Sequence, residues 1–274
     1  MAAKPRQFAS GFEFVKGPAF DRNGNLFVVN VQGGYLSKIT PRGRVSRFVH
    51  TGGGPNGAKF HANSDLYVCD SGLRAILSVS PDGMFTKIVT ECEGTALKGP
   101  NDLVFSKDGG FYFTDPLGSS LENRIGAVYR VTPDNKVLRF AQGYAWPNGV
   151  ALSADERRLF LAESNTRRIH TFALRPDGLA AAGRVHAELP PGGSPDGMAF
   201  DVEGNLYVAH FGTGKIVVLD TWGNIARELP AGGQKPTNLA FGGKNRRFLY
   251  VTEAETNSVY VLKNDIPGLP LFGN

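Results

Sequence analysis

The chain has 274 residues, of which 41% are hydrophobic and 20% charged, a composition typical of a folded globular protein. The net charge is +5, but the basic residues are scattered and interspersed with acidic ones, which argues against a nucleic-acid-binding protein. No run approaches the roughly 18 apolar residues of a membrane helix, and we expect a cytoplasmic protein that binds neither nucleic acid nor membrane. Two cysteines, Cys69 and Cys92, provide neither a disulfide framework nor a metal motif.

One unit is repeated six times along the chain. In chain order, each unit has a proline turn, a short apolar strand, a polar turn and a second apolar strand that ends in a polar residue. A third strand follows in every unit, as in GYLSKIT, AILSVS, GAVYRVT, RIHTFAL, GKIVVLD and NSVYVL. A weaker fourth strand, such as RVSRFVH, usually comes next. The turn prolines are 37 to 48 residues apart and are Pro18, Pro55, Pro100, Pro147, Pro195 and Pro236.

Four strands in each repeat of this length are the signature of a propeller blade. The sequence therefore predicts an all-β fold, a six-bladed β-propeller with four-stranded antiparallel blades, as one domain over residues 1–274. The last repeat lacks an outer strand, since its final stretch GLPLFGN is short and contains proline. We expect the N-terminal stretch RQFASGFEF to supply that strand.

Residues that follow the turn prolines are predicted to meet around one mouth of the central channel. They are Ala19, Asn56, Asn101, Asn148, Asp196 and Thr237. Amide and carboxylate oxygens are hard ligands suited to Ca²⁺ or Mg²⁺. A metal held in this way can polarise a carbonyl, and a nearby carboxylate can take a proton from the attacking water. The pattern indicates hydrolysis of an ester-like bond.

Four stretches, GPNDLVFSKDGGFYFTDP, WPNGVALSADERRLFLAESNTRRI, SPDGMAF and PTNLAFGG, resemble the SMP-30/gluconolactonase family, which includes luciferin-regenerating enzymes. The resemblance covers nearly the whole chain. It implies a propeller that opens lactones and holds one divalent metal, Ca²⁺ or Zn²⁺, in its channel. It also implies that Asn101, Asn148 and Asp196 bind the metal, with Asp196 as general base. Asn56 and Asn101 are predicted to contact the substrate.

Lys16 departs from the pattern of this family, whose fourth metal ligand is a glutamate at that place. A charged lysine and a divalent ion repel each other, which puts the metal in doubt. Lys16 could point away from a weak three-ligand site, act uncharged as a ligand or base, or replace the metal with its ammonium and neutralise Asp196. Glu13, three residues upstream, is a candidate for a substitute carboxylate. We expect Lys16 to be a catalytic residue.

Other polar residues are weaker candidates. Glu122 lies in a polar insertion, residues 118–123, that is expected to form a lid or a substrate-contacting loop. His210 ends the second strand of the fifth unit and is either a substrate contact or a structural polar residue that bonds a neighbouring turn. Asp102 is expected to stabilise a turn. Gly99 stands where sugar-lactone hydrolases of the family often have arginine, which weakens the case for an aldonolactone.

Two other functions stay open at this point. One is a metal-independent family member in which Lys16 performs different chemistry, such as amine condensation or proton abstraction. The other is a non-catalytic binding scaffold, because propellers serve many functions. The expected partner is a small-molecule substrate, and the positive net charge is compatible with an anionic one.

Overall fold

The computed structural model describes residues 4–270. Strands β1 to β5 are Arg6–Ser10, Val15–Phe20, Leu26–Asn30, Tyr35–Ile39 and Val45–His50. Strands β6 to β11 are Pro55–Phe60, Leu66–Asp70, Ala75–Val79, Phe85–Val89, Glu91–Cys92 and Thr95–Ala96. Strands β12 to β19 are Leu103–Phe105, Phe111–Asp115, Gly126–Val131, Val137–Tyr144, Pro147–Leu152, Arg158–Glu163, Arg168–Leu174 and Ala180–Glu188. Strands β20 to β26 are Ser194–Phe200, Leu206–Phe211, Lys215–Leu219, Ile225–Pro230, Pro236–Gly242, Phe248–Glu253 and Ser258–Lys263. Two 3₁₀ turns cover Ser164–Thr166 and Lys244–Arg246.

These strands form six four-stranded antiparallel sheets, the blades of the predicted propeller. Blades one to five are β2–β5, β6–β9, β12–β15, β16–β19 and β20–β23, and blade six contains β24–β26 and β1. Strands β10 and β11 form a separate ribbon. As predicted, the N-terminal strand completes the last blade, with Arg6 opposite Val261 in the antiparallel register. The fold is confirmed, while residues 1–3 and 271–274 lie outside the described part of the chain.

The hydrophobic core lies between neighbouring blades. Because successive side chains of a strand point to opposite faces, each blade packs against both neighbours. In β7, for example, Leu66 and Val68 pack toward blade one, whereas Tyr67 and Cys69 pack toward blade three. Burial of both faces explains why the second strand of each repeat is apolar almost without interruption. Between residues 4 and 270, no helix has the length and apolar character needed to span a membrane.

Register irregularities mark the start of the innermost strands. In β6, β16 and β20 the pairing with the second strand shifts directly after the turn proline. A bulge of this kind changes the direction of a side chain relative to the regular ladder. The residue after the proline is therefore turned out of the regular ladder in these three blades.

Candidate active site

Blade one is in a different register from that predicted by its proline. Val15 lies opposite Asn30 in the same way that Pro55 lies opposite Asp70 in blade two. The residue equivalent to Asn56 is therefore Lys16, and the prediction of Ala19 was wrong. Valine replaces the proline here, so alignment on Pro18 moved the register by three residues. We call the six equivalent residues the channel ring: Lys16, Asn56, Asn101, Asn148, Asp196 and Thr237.

Glycine follows the channel-ring residue in four blades, and close backbone contact explains it. A Cβ atom at Gly57 would lie 2.6 Å from the backbone oxygen of Asn101, and one at Gly149 would lie 2.2 Å from that of Asp196. The first turns of neighbouring innermost strands thus approach each other too closely for any side chain. The Lys16-Gly17 pair follows the same rule, since a Cβ atom at Gly17 would lie 2.5 Å from the backbone oxygen of Asn56.

Blades three and six have Asp102 and Asn238 at the position of this glycine. Their side chains meet across the channel, where Asn238 Nδ2 donates to Asp102 Oδ2 at 3.3 Å. Lys59 Nζ lies 3.9 Å from the other oxygen of Asp102. Asp102 also accepts a hydrogen bond from the amide of Leu103, so the predicted turn contact is present, but the carboxylate has a second role. Asp102 and Asn238 form the floor of the channel ring.

Three amide oxygens of the channel ring have no hydrogen-bond partner within the described residues. They are the buried Oδ1 atoms of Asn56, Asn101 and Asn148. The orientation of Asn148 is fixed because its Nδ2 donates to Ser164 Oγ, which in turn donates to the backbone oxygen of Pro195. A buried acceptor without a partner is costly. These oxygens are therefore available to a donor that enters the channel.

Lys16 and Asp196 form an ion pair inside the ring. Lys16 Nζ donates to Asp196 Oδ1 at 3.0 Å, and the two side chains are only 6% and 9% exposed. Blade six stands between blades one and five, so the lysine reaches across part of the channel to make this contact. Thr237, the ring residue of blade six, is turned aside, because its hydroxyl donates to the backbone oxygen of Val15.

The Asp196 carboxyl has the electrostatic character of a base. Burial raises its pKa above the ordinary value, and the nearby Asp102 carboxylate adds to the rise. The Lys16 ammonium and Asn148 oppose that rise without reversing it. A carboxylate with a raised pKa has a greater affinity for a proton from water than a solvent-exposed one.

The residues present do not fit a divalent metal. A calcium ion bound to Asp196 Oδ1 at about 2.4 Å would lie no more than about 5.4 Å from Lys16 Nζ. At an effective dielectric of about 20, that distance gives a repulsion of about 6 kcal/mol, or roughly four orders of magnitude in affinity. Within residues 4–270, moreover, no three His, Cys, Asp or Glu side chains cluster as metal ligands. Of the three possibilities for Lys16, the structure contains the one in which its ammonium pairs with Asp196.

Other predicted residues lie outside the channel ring. Glu122 is exposed and its carboxylate accepts a hydrogen bond from Ser120. Glu13 is also exposed and accepts from the Tyr35 hydroxyl at 3.2 Å, so it does not replace the missing glutamate of the ring. His210 is buried at the end of β21, opposite Pro195, and burial lowers the pKa of its imidazole.

His210 belongs to a second set of polar residues, which we call the strand-end ring. Its members lie at the end of the second strand of each blade, or one residue before it in the case of His210, and are Asn30, Asp70, Asp115, Glu163, His210 and Glu253. Asp115, for example, accepts from the amides of Lys98 and Gly99 at 2.9 and 2.6 Å. These bonds hold the backbone that leads into the channel ring.

Comparison with known proteins identifies the family of this chain. The sequence matches the SMP-30/Gluconolactonase/LRE-like region over residues 14–255. The chain belongs to this family. Lactonase drp35 of Staphylococcus aureus (strain USA300) is 34% identical over 219 residues, which cover 76% of this chain and 67% of that protein. Gluconolactonase of Zymomonas mobilis is 31% identical over 271 residues, covering 87% of this chain and 76% of the relative.

Solved structures share the architecture of this SMP-30-family chain. A gluconolactonase from Xanthomonas campestris superposes with a TM-score of 0.85 at 26% identity, covering 97% of this chain and 90% of the other. A calcium-binding regucalcin from Agrobacterium tumefaciens has a TM-score of 0.84 at 18% identity, with 98% and 96% covered, and shows the common fold. Calcium binding is named for the regucalcin alone, and the channel ring of this chain carries Lys16.

Proposed function

We propose that this protein hydrolyses a lactone in the channel ring, with Asp196 as general base. The observation that carries the proposal is the group of three buried, unpartnered amide oxygens around one carboxylate of raised pKa. Three buried acceptors around one carboxylate are costly unless a water or a ligand donates to them. The named activities of the drp35 and Zymomonas relatives support a lactone as substrate.

The reaction needs one proton acceptor and one place for water. Water that donates one O–H to the amide oxygen of Asn101 or Asn148 gives its other proton to the Asp196 carboxylate, and its oxygen bonds to the lactone carbonyl carbon. Collapse of the tetrahedral intermediate breaks the bond between that carbon and the ring oxygen. The released alkoxide takes the proton back from Asp196, which yields the hydroxy acid and restores the carboxylate.

Apolar side chains at the mouth favour a lactone with an apolar substituent. Leu117 covers Gly99, where a Cβ atom would lie 2.9 Å from the leucine. Leu117 and Leu121 remain 46% and 52% exposed in the loop after β13, and Ser119 of that loop accepts a hydrogen bond from the amide of Trp146. The loop thus presents apolar surface between blades three and four. The two leucine side chains offer no hydrogen-bond partner to a sugar hydroxyl group.

A panel of lactones tests the proposal. The purified protein is assayed by acid release with alkyl-substituted, aryl-substituted and sugar lactones, and Asp196→Asn serves as the matched background. We expect hydrolysis of at least one substituted lactone, with a kcat/KM at least tenfold above that for the sugar lactone, since one methylene in an apolar pocket is worth about 1–3 kcal/mol. Turnover no greater than that of Asp196→Asn for every lactone would refute the proposed activity.

A further inference from the structure

We infer that the Lys16 ammonium takes the place of a divalent cation, so that the channel ring works without a metal. The inference rests on the proposed hydrolysis for its catalytic consequence, but its metal-binding consequence is independent of any substrate. It starts from the strand register, which makes Lys16 a true member of the ring and not a neighbour of it.

The charge of the ring supports the inference. Lys16 and Asp196 are its ionisable members, so their charges cancel and the ring is neutral without any added ion. A carboxylate in place of Lys16 would give the ring two negative charges, which a divalent cation balances. The buried position of both side chains makes this balance important, because an unpaired charge in the interior is unfavourable.

The position of the ammonium also fits the role of an electrophile. An ammonium has three N–H donors, and one of them is directed to Asp196 Oδ1. A donor facing the channel can bond the lactone carbonyl oxygen and stabilise the negative charge that develops on it when water adds. An ammonium paired with Asp196 has no lone pair, which favours charge stabilisation over amine condensation.

Titration of the wild-type protein with Ca²⁺ and Zn²⁺ is the first test. Elemental analysis of protein purified without chelator is expected to give well under one divalent ion per chain, with no calorimetric binding at submillimolar metal. Thermal unfolding should be unchanged by added Ca²⁺, because only a ligand of the folded state raises its stability. One tightly bound ion per wild-type chain would overturn the inference without the use of any variant.

Lys16→Glu is the second test, with Lys87→Glu as the matched control because Lys87 is exposed on blade two and the change of charge is the same. Lys16→Glu is expected to bind one Ca²⁺ at least a hundredfold more tightly than the wild type and to melt at a higher temperature when Ca²⁺ is present. Lys87→Glu should behave as the wild type. Equal metal affinity of Lys16→Glu and Lys87→Glu would contradict the inference.

Activity separates this inference from the proposed function. Wild-type turnover of the best lactone should survive chelator, and Lys16→Met should lose at least tenfold in kcat while still binding no metal. Loss of wild-type turnover in chelator, restored by Ca²⁺, would refute the ammonium role and leave lactone hydrolysis intact. A protein that binds no metal and hydrolyses no lactone would refute only the proposed function.

Discussion

Two rings of similar polar residues surround the channel, and they differ in what their oxygen atoms contact. In the strand-end ring, Asp70 accepts from the Gly54 and Leu73 amides at 2.8 Å, and Glu253 accepts from the amide of Lys235 at 2.8 Å. In the channel ring, three amide oxygens have no partner within the described residues. The contrast teaches that the paired oxygens of the strand-end ring position the site, whereas the unpaired amide oxygens of the channel ring are available to a ligand. In the strand-end ring His210 is an exception, because its buried Nε2 has no partner within the described residues.

The two rings are physically linked. Asp115 bonds the amide of Gly99, two residues before Asn101, and Glu163 bonds the amide of Ala145, three residues before Asn148. The strand-end ring therefore fixes the backbone from which the channel ring projects. A variant in one ring should affect catalysis and a variant in the other should affect stability, and this division can be tested.

Asp196→Asn should give the largest effect on turnover. The variant keeps the shape of the side chain and removes the base, and kcat for the best lactone is expected to fall at least a hundredfold. Asp134→Asn on the surface is the control for the same chemical change. Circular dichroism melting should show that Asp196→Asn still folds. Near wild-type kcat in a folded Asp196→Asn variant would contradict the assignment of catalysis to the channel ring.

Glu163→Gln should give the largest loss of stability. Burial alone would raise the pKa of Glu163. Hydrogen bonds from His170, the Ala145 amide and Thr166 instead bring this pKa down to about 2, from an ordinary 4.5. That difference corresponds to at most about 3 kcal/mol, and we expect a loss of about 2 kcal/mol at pH 7 in urea unfolding. Turnover should change less than tenfold.

The pH dependence of this loss follows from the direction of the shift. A lowered pKa stabilises the folded state above pH 4.5, and the contribution disappears as the pH falls toward 2, because the wild-type carboxylate is then protonated as well. The difference between wild type and Glu163→Gln should therefore shrink in acid. A difference that stayed constant from pH 7 to pH 3 would show that charge at Glu163 contributes nothing.

His210→Gln should give the smallest effect on turnover, and it tests whether His210 has the structural role of the strand-end ring or a catalytic one. As a member of the strand-end ring it should change kcat less than twofold and lower the melting temperature by a few degrees. Since burial lowers the pKa of His210, the wild type also loses stability as the pH falls below about 6.5, where the unfolded histidine binds the proton more tightly. A tenfold fall in kcat would instead assign His210 to catalysis.

Repetition made the fold predictable from the sequence, but it did not give every residue of the site. Six turns and alternating apolar strands specify six blades, and the Asn-Gly and Asp-Gly pairs mark the channel ring. In blade one the proline alignment failed because Val15 stands in its place; the Lys16-Gly17 pair was the signal that matched. The contact of Asp102 with Asn238 joins residues 136 apart and no local pattern could indicate it. Whether an asparagine oxygen is paired likewise depends on tertiary contacts.

Closure of the last blade by β1 has a consequence for how the molecule is made. This strand leaves the ribosome before every other strand of the propeller, yet it pairs with β26, which leaves last. The sixth blade cannot be completed until β26 has been synthesised, and β1 stays unpaired until then. Such distant pairing slows folding, and an open strand edge invites association with other chains. A circular permutant that begins at β24 and joins β26 to β1 through a short linker would make the blade local, and it should refold faster than the natural order.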